Sequence, residues 1–138
     1  MSIRLVLRST DSQQIYSGNT SYDFVVHLPK PLYLQGHWTV SLLEFNLSTA
    51  STQPELYVCS NLCQDTVVGE RELPLLRLVN YKKAENIIYN FPYEIPLRLG
   101  EFQDVRVYIR DSNNQPASYL KGTTTITLLL KKRLFEIQ

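Results

Sequence analysis

Cys59 and Cys63, together with His27 and His37, are the residues of this chain with the most obvious capacity for chemistry. Two thiols and two imidazoles could hold zinc, but structural zinc sites draw on regularly paired ligands. Here the C-x3-C spacing is loose and the histidines show no such pairing. Either thiol could instead be a nucleophile with a histidine as base, which needs a meeting in space that spacing cannot supply. The plainer reading is a pair of inert, buried cysteines. Asp65, Glu70, Arg71 and Glu72 could exchange protons, although charges beside a glycine turn serve equally as a solvated rim. Lys121, Lys131, Lys132 and Arg133 could form a basic patch, or keep a strand edge soluble. The sequence has no G-x-x-x-x-G-K-[ST] phosphate loop, no G-x-S-x-G elbow and no H-E-x-x-H pair. These residues point to a protein that is not an enzyme and that uses no cofactor or metal.

The elements that must position these side chains read as short strands. At 138 residues the chain suits one domain, spanning 1–138. A net charge of +1 creates no field to attract nucleic acid or an anionic membrane, so neither is expected as a partner. No apolar run approaches the roughly 20 residues that span a bilayer. Arg4 and Arg8 interrupt the N-terminus too early for a signal peptide, which predicts a cytosolic origin and free thiols.

Ile3, Leu5 and Leu7 alternate with Arg4, Val6 and Arg8, the period of a strand with one buried face. Residues 10–20 are polar and predict a loop. Tyr22, Phe24, Val26 and Leu28 predict a second strand, ended by Pro29 and Pro31, which lack a backbone donor. In the third, Trp38 to Leu47, the apolar positions change parity between Leu42 and Leu43. That requires a β-bulge, or a strand buried first on one side and then on the other. Further strands are predicted over Glu55 to Ser60 and Leu75 to Val79, with short irregular segments at Ile87 to Phe91 and Tyr93 to Leu99. Val105, Val107 and Ile109 mark the clearest strand, and Thr123 to Leu130 the last. About eight short strands predict an all-β antiparallel β-sandwich, a single jelly roll before an immunoglobulin-like one. Cysteines four positions apart cannot make the usual bridge between immunoglobulin sheets.

Nine tyrosines are present, and Tyr16, Tyr33, Tyr81, Tyr89, Tyr93 and Tyr119 fall in or beside predicted loops. Such rings suit a protein interface, or cover the open end of a sandwich with the hydroxyl wet. Leu134, Phe135 and Ile137 follow the last strand within a possible C-terminal arm over 131–138. They read either as interface anchors or as a final edge strand. The interface residues expected from these patterns are Tyr33, Tyr119, Leu134, Phe135 and Ile137. A different class of function, a carbohydrate- or receptor-binding sandwich, would use Tyr93, Tyr119 and Trp38 for stacking, although Trp38 also suits a core.

Four blocks carry a resemblance: Tyr22-Asp23-Phe24-Val25-Val26-His27-Leu28; Leu32 through Glu44; the Val68-Gly69 turn with Leu75-Leu76-Arg77; and Phe102 to Asp111 with Tyr119-Leu120-Lys121-Gly122. Together they resemble the small jelly-roll capsid proteins of Maverick (Polinton) elements, adintoviruses and other adenovirus-like viruses. The likeness covers most of the chain after residue 20 and consists of hydrophobic and glycine patterns. It implies a structural virion protein at vertices or between major capsid proteins, with no catalytic residues. The chain has room for one jelly roll and is short for a full penton. That makes a minor or cementing protein at least as fitting, similar to the genus-specific small capsid proteins of atadenoviruses. The implied partners are copies of itself, as trimer or pentamer, and a major capsid or penton protein. Assembly would place it in the host nucleus and then the virion.

Overall fold

The computed structural model describes residues 1–49, 55–81 and 86–133. These form eleven strands and no helix. They are β1 (Ser2–Arg8), β2 (Asp23–Tyr33), β3 (Trp38–Leu47), β4 (Glu55–Ser60), β5 (Thr66–Val68), β6 (Arg71–Leu73), β7 (Leu75–Asn80), β8 (Asn86–Ile88), β9 (Ile95–Pro96), β10 (Glu101–Arg110) and β11 (Thr124–Lys132). All pairings are antiparallel. One sheet runs β1-β11-β3, with β8 and β9 both on the far side of β3; the other runs β2-β10-β4-β7. β5 and β6 form a separate hairpin. The protein is an all-β sandwich, as its alternating pattern predicts.

The core follows from that alternation. Leu7 on β1 and Phe45 on β3 flank Ile126 of β11, and Leu5 and Leu42 flank Leu128. In the second sheet Phe24 of β2 registers with Val107 of β10, and Val26 with Val105. Ile109 registers with Val58 of β4, and Leu56 with Val79 of β7. All but the half-buried Leu5 belong to one buried cluster. Trp38 belongs to it too, its indole N–H donating to the Gln35 carbonyl at 2.9 Å.

The parity change in β3 is resolved by a bulge. Thr127 pairs with Glu44 but Leu128 pairs with Leu42, so Leu43 is the extra residue. The bulge returns Phe45 and Leu47 to the face that already buries Val40 and Leu42.

The sequence-based end of the second strand at Pro29 is incorrect, since β2 continues through both prolines to Tyr33. Among the described residues β2 is an edge strand with β10 as its single ladder partner, so one row of its backbone donors is not needed. Its register also shifts here: Leu32 pairs with Phe102 and His27 with Asp104, leaving four residues opposite Gln103. The prolines lie in this looped-out stretch, where no ladder bond is required of them. Gln103 fastens the stretch by donating from Nε2 to the Leu28 carbonyl at 3.0 Å.

Asn19 and Tyr16 both help to pin the polar 10–20 loop. Asn19 donates to the carbonyls of Asp11 and Val25 at 3.1 and 2.9 Å, and its Oδ1 accepts from the Val25 amide at 3.0 Å. The Tyr16 hydroxyl donates to Asp104 at 2.7 Å, beside His27 Nδ1 at 2.8 Å. These contacts, the tyrosine's first, hold the Asp104 carboxyl below its ordinary range.

Candidate functional site

Tyr57 lies between the buried Leu56 and Val58, so its side chain points to the outer side of the β2-β10-β4-β7 sheet. Its cross-strand partner is Arg110, the last residue of β10, and Tyr108 follows on the same face. Arg106 and Arg110 approach the Tyr108 ring at 4.4 and 5.3 Å.

Two rims rise around Tyr57. The first is the tip of the β5–β6 hairpin. Val68 pairs with Arg71, which leaves Gly69 and Glu70 as a two-residue loop with Gly69 at φ 62°. Glycine in the first central position is what such a hairpin loop needs, because an L side chain there would be strained. The second rim is the turn after β10. Asp111 Oδ1 accepts from the amides of Asn113 and Gln115 at 2.9 and 3.0 Å. Asn114 is held left-handed at φ 59°, with its carbonyl accepting from Arg110 at 3.1 Å. Tyr57, both rims and Leu73 enclose an open cleft of about 380 Å³.

The cleft is chemically mixed. Glu70, Asp111 and Ser112 offer oxygens, Arg71 offers a fork of N–H donors, and Tyr57, Val68 and Leu73 supply apolar surface. Arg71 has no ion pair among the described residues. Asn114 Oδ1 is buried and accepts no hydrogen bond among the described residues. Sequence reasoning found Glu70 and Arg71 but missed Tyr57, Asp111 and Asn114. Positions 57, 70 and 114 meet only because the hairpin is folded toward the end of β10. No local pattern marks residues 111–114 as the wall of a cleft.

The other candidate residues are dispersed. Asp65 takes no part in the cleft and pairs with Arg98 at 2.6 Å. Lys131 faces Glu94 at 3.8 Å. Among the described residues there is no cluster of three or more His, Cys, Asp and Glu side chains able to hold a metal.

Both cysteines are free and buried. Burial pushes the Cys59 thiol up to about 12, only partly offset by the nearby Arg110 charge, and burial also raises Cys63. A thiolate is the reactive form, so neither thiol should react with a bulky disulfide reagent in the native protein at pH 8. Titration of the native and denatured protein checks this, with two thiols per chain expected only after unfolding.

The tyrosines divide into distinct roles. Tyr33 stands at the end of β2 and is 67% exposed. Tyr119 is half-buried against the core. Leu134, Phe135 and Ile137 lie outside the described residues. Tyr81, read from sequence as a loop residue suited to an interface, is fully buried. Tyr89 and Tyr93 enclose the Arg77 guanidinium from β7, at 3.9 and 4.0 Å from the ring centroids. This clamp joins the edge strand of one sheet to the 89–93 segment beside the other, each contact contributing about 0.5–2 kcal/mol. No family of known proteins matches the sequence, and a search of curated proteins finds no match to it.

Proposed function

We propose that the protein is a structural component of a virion, a minor capsid or cementing protein that strengthens an icosahedral shell through protein contacts. The observation that carries this reading is an apolar rim on the segment that follows β7. Phe91 is 89% exposed, and Ile88 and Tyr93 are each 60% exposed. Leu78 on β7 is also exposed. A lone monomer gains nothing by presenting such residues to water, whereas burying aromatic anchors between subunits supplies much of the energy of assembly. The two opposite sheet edges are protected: β2 by Pro29, Lys30 and Pro31, and β1 by the exposed Arg4 and Arg8.

The strand order supports the jelly-roll reading of the sandwich. Strands pair in nested fashion, β1 with β11, β2 with β10, β3 with β8 and β9, and β4 with β7. This is a long antiparallel ribbon rolled on itself, so that β11 also meets β3 and β10 also meets β4. In this reading the work is passive and no residue is catalytic. Tyr33, Tyr119 and the tail residues Leu134, Phe135 and Ile137 join the rim as contact residues. The partners are other copies, in a trimer or pentamer, and a major capsid or penton protein. The protein would assemble in the host nucleus and reside in the virion.

Light scattering on the purified protein, alone and mixed with candidate major capsid and penton proteins, tests the proposal. A closed oligomer or a stable complex is expected. Phe91→Asp should abolish it without lowering the unfolding midpoint, and deletion of 134–138 reports whether the tail contributes. A persistent monomer that ignores those proteins would end this reading.

A further inference from the structure

We propose that the cleft between the β5–β6 hairpin and the turn after β10 binds a neutral, hydroxyl-rich ligand of the size of a terminal sugar residue. The inference stands apart from the capsid reading, since it uses none of the residues of the apolar rim.

Its volume of about 380 Å³ falls at the lower end of small-ligand sites. Its walls are preorganised by the tight hairpin loop and by the Asp111 side chain bonded to two amides of its own turn. Little ordering is therefore left for a ligand to impose.

The polar groups select the chemistry. The side chains of Glu70, Arg71, Asp111 and Ser112 line the cleft and present it with both acceptors and donors. Asp111 Oδ2 and the Glu70 carboxylate accept, while Arg71 can only donate. A vicinal diol satisfies both kinds of partner, because each hydroxyl donates and accepts. Glu70, Asp111 and Arg71 give the cleft a formal charge of −1, which disfavours an acidic sugar. A basic side chain would leave the Arg71 guanidinium facing a like charge. Tyr57, Val68 and Leu73 provide the apolar surface that the C–H face of a pyranose requires. Trp38, Tyr93 and Tyr119 do not line this cleft, so ligand recognition would fall to a different aromatic residue from those the sequence suggested.

Heteronuclear NMR titration of the full chain tests the proposal. The probes are D-galactose, D-glucose, D-mannose and N-acetylglucosamine, with N-acetylneuraminic acid and an oligolysine peptide as charged controls. At least one neutral sugar should shift the amides of residues 69–73 and 111–114 saturably. Arg71→Ala and Glu70→Ala should each weaken that binding about tenfold. Both side chains are exposed, so both variants should leave the unfolding midpoint in place. The proposal is overturned if no neutral sugar shifts those amides, if both variants bind as the parent does, or if only a charged control responds.

Discussion

Tyr81→Ala is expected to cost about 4 kcal/mol of folding stability, the largest effect of any single tyrosine substitution in this protein. Tyr81 follows β7 directly and is fully buried. Its ring meets Phe45 edge-on, with centroids 5.6 Å apart and planes at 84°. Its hydroxyl donates to the Leu47 carbonyl. Phe45 and Leu47 belong to β3, so this one side chain fastens the edge strand of one sheet to the central strand of the other. Removing it leaves a cavity beside Phe45 and forfeits an aromatic contact of about 0.5–1.5 kcal/mol. Tyr81→Phe keeps the ring and should cost about 1 kcal/mol for the hydrogen bond alone. Urea denaturation of the two variants separates packing from hydrogen bonding. An alanine variant within 1 kcal/mol of the parent would mean that Tyr81 is not the inter-sheet fastener described.

Gly122→Ala should cost about 3 kcal/mol, for two separable reasons. Gly122, two residues before β11, has φ 82°, where an L side chain is strained. A Cβ there would also lie 2.0 Å from Ser48 Oγ. That oxygen accepts the Thr123 amide at 2.8 Å and cannot move aside without losing it. Two other glycines calibrate the comparison. Gly69 shares the positive φ, at 62°, but has open space around it, so Gly69→Ala should cost about 1 kcal/mol from strain alone. Gly18 has neither constraint, and Gly18→Ala should be nearly neutral. If the three midpoints coincide, the steric reading of Gly122 fails.

The strands were legible because alternation is a local property. Val105, Val107 and Ile109 must share a face whatever they pack against, and that face is buried. The parity change in β3 was legible too, but it fitted either a bulge or a strand buried on alternate sides, and only the pairing with β11 decided for the bulge at Leu43. Residue types misled where the neighbourhood overrode them. Pro29 and Pro31 stop a strand only if the lost donors are needed, and on a looped-out edge strand they are not. Tyr81 lies outside the strands by sequence, but its packing against Phe45 of β3 places it in the core.

The amino-acid order by itself therefore determined an all-β chain, its main strands, most of the core and the burial of its cysteines. Those features depend on the period of side chains along one segment and on the cost of leaving apolar surface wet. The tertiary structure alone decided the strand order, the Arg77 clamp between Tyr89 and Tyr93, and the cleft that joins Tyr57, Arg71 and Asn114. Each of these brings together residues from separate strands and turns, and no local pattern encodes a meeting that only the packing of the two sheets and the fold of the hairpin bring about.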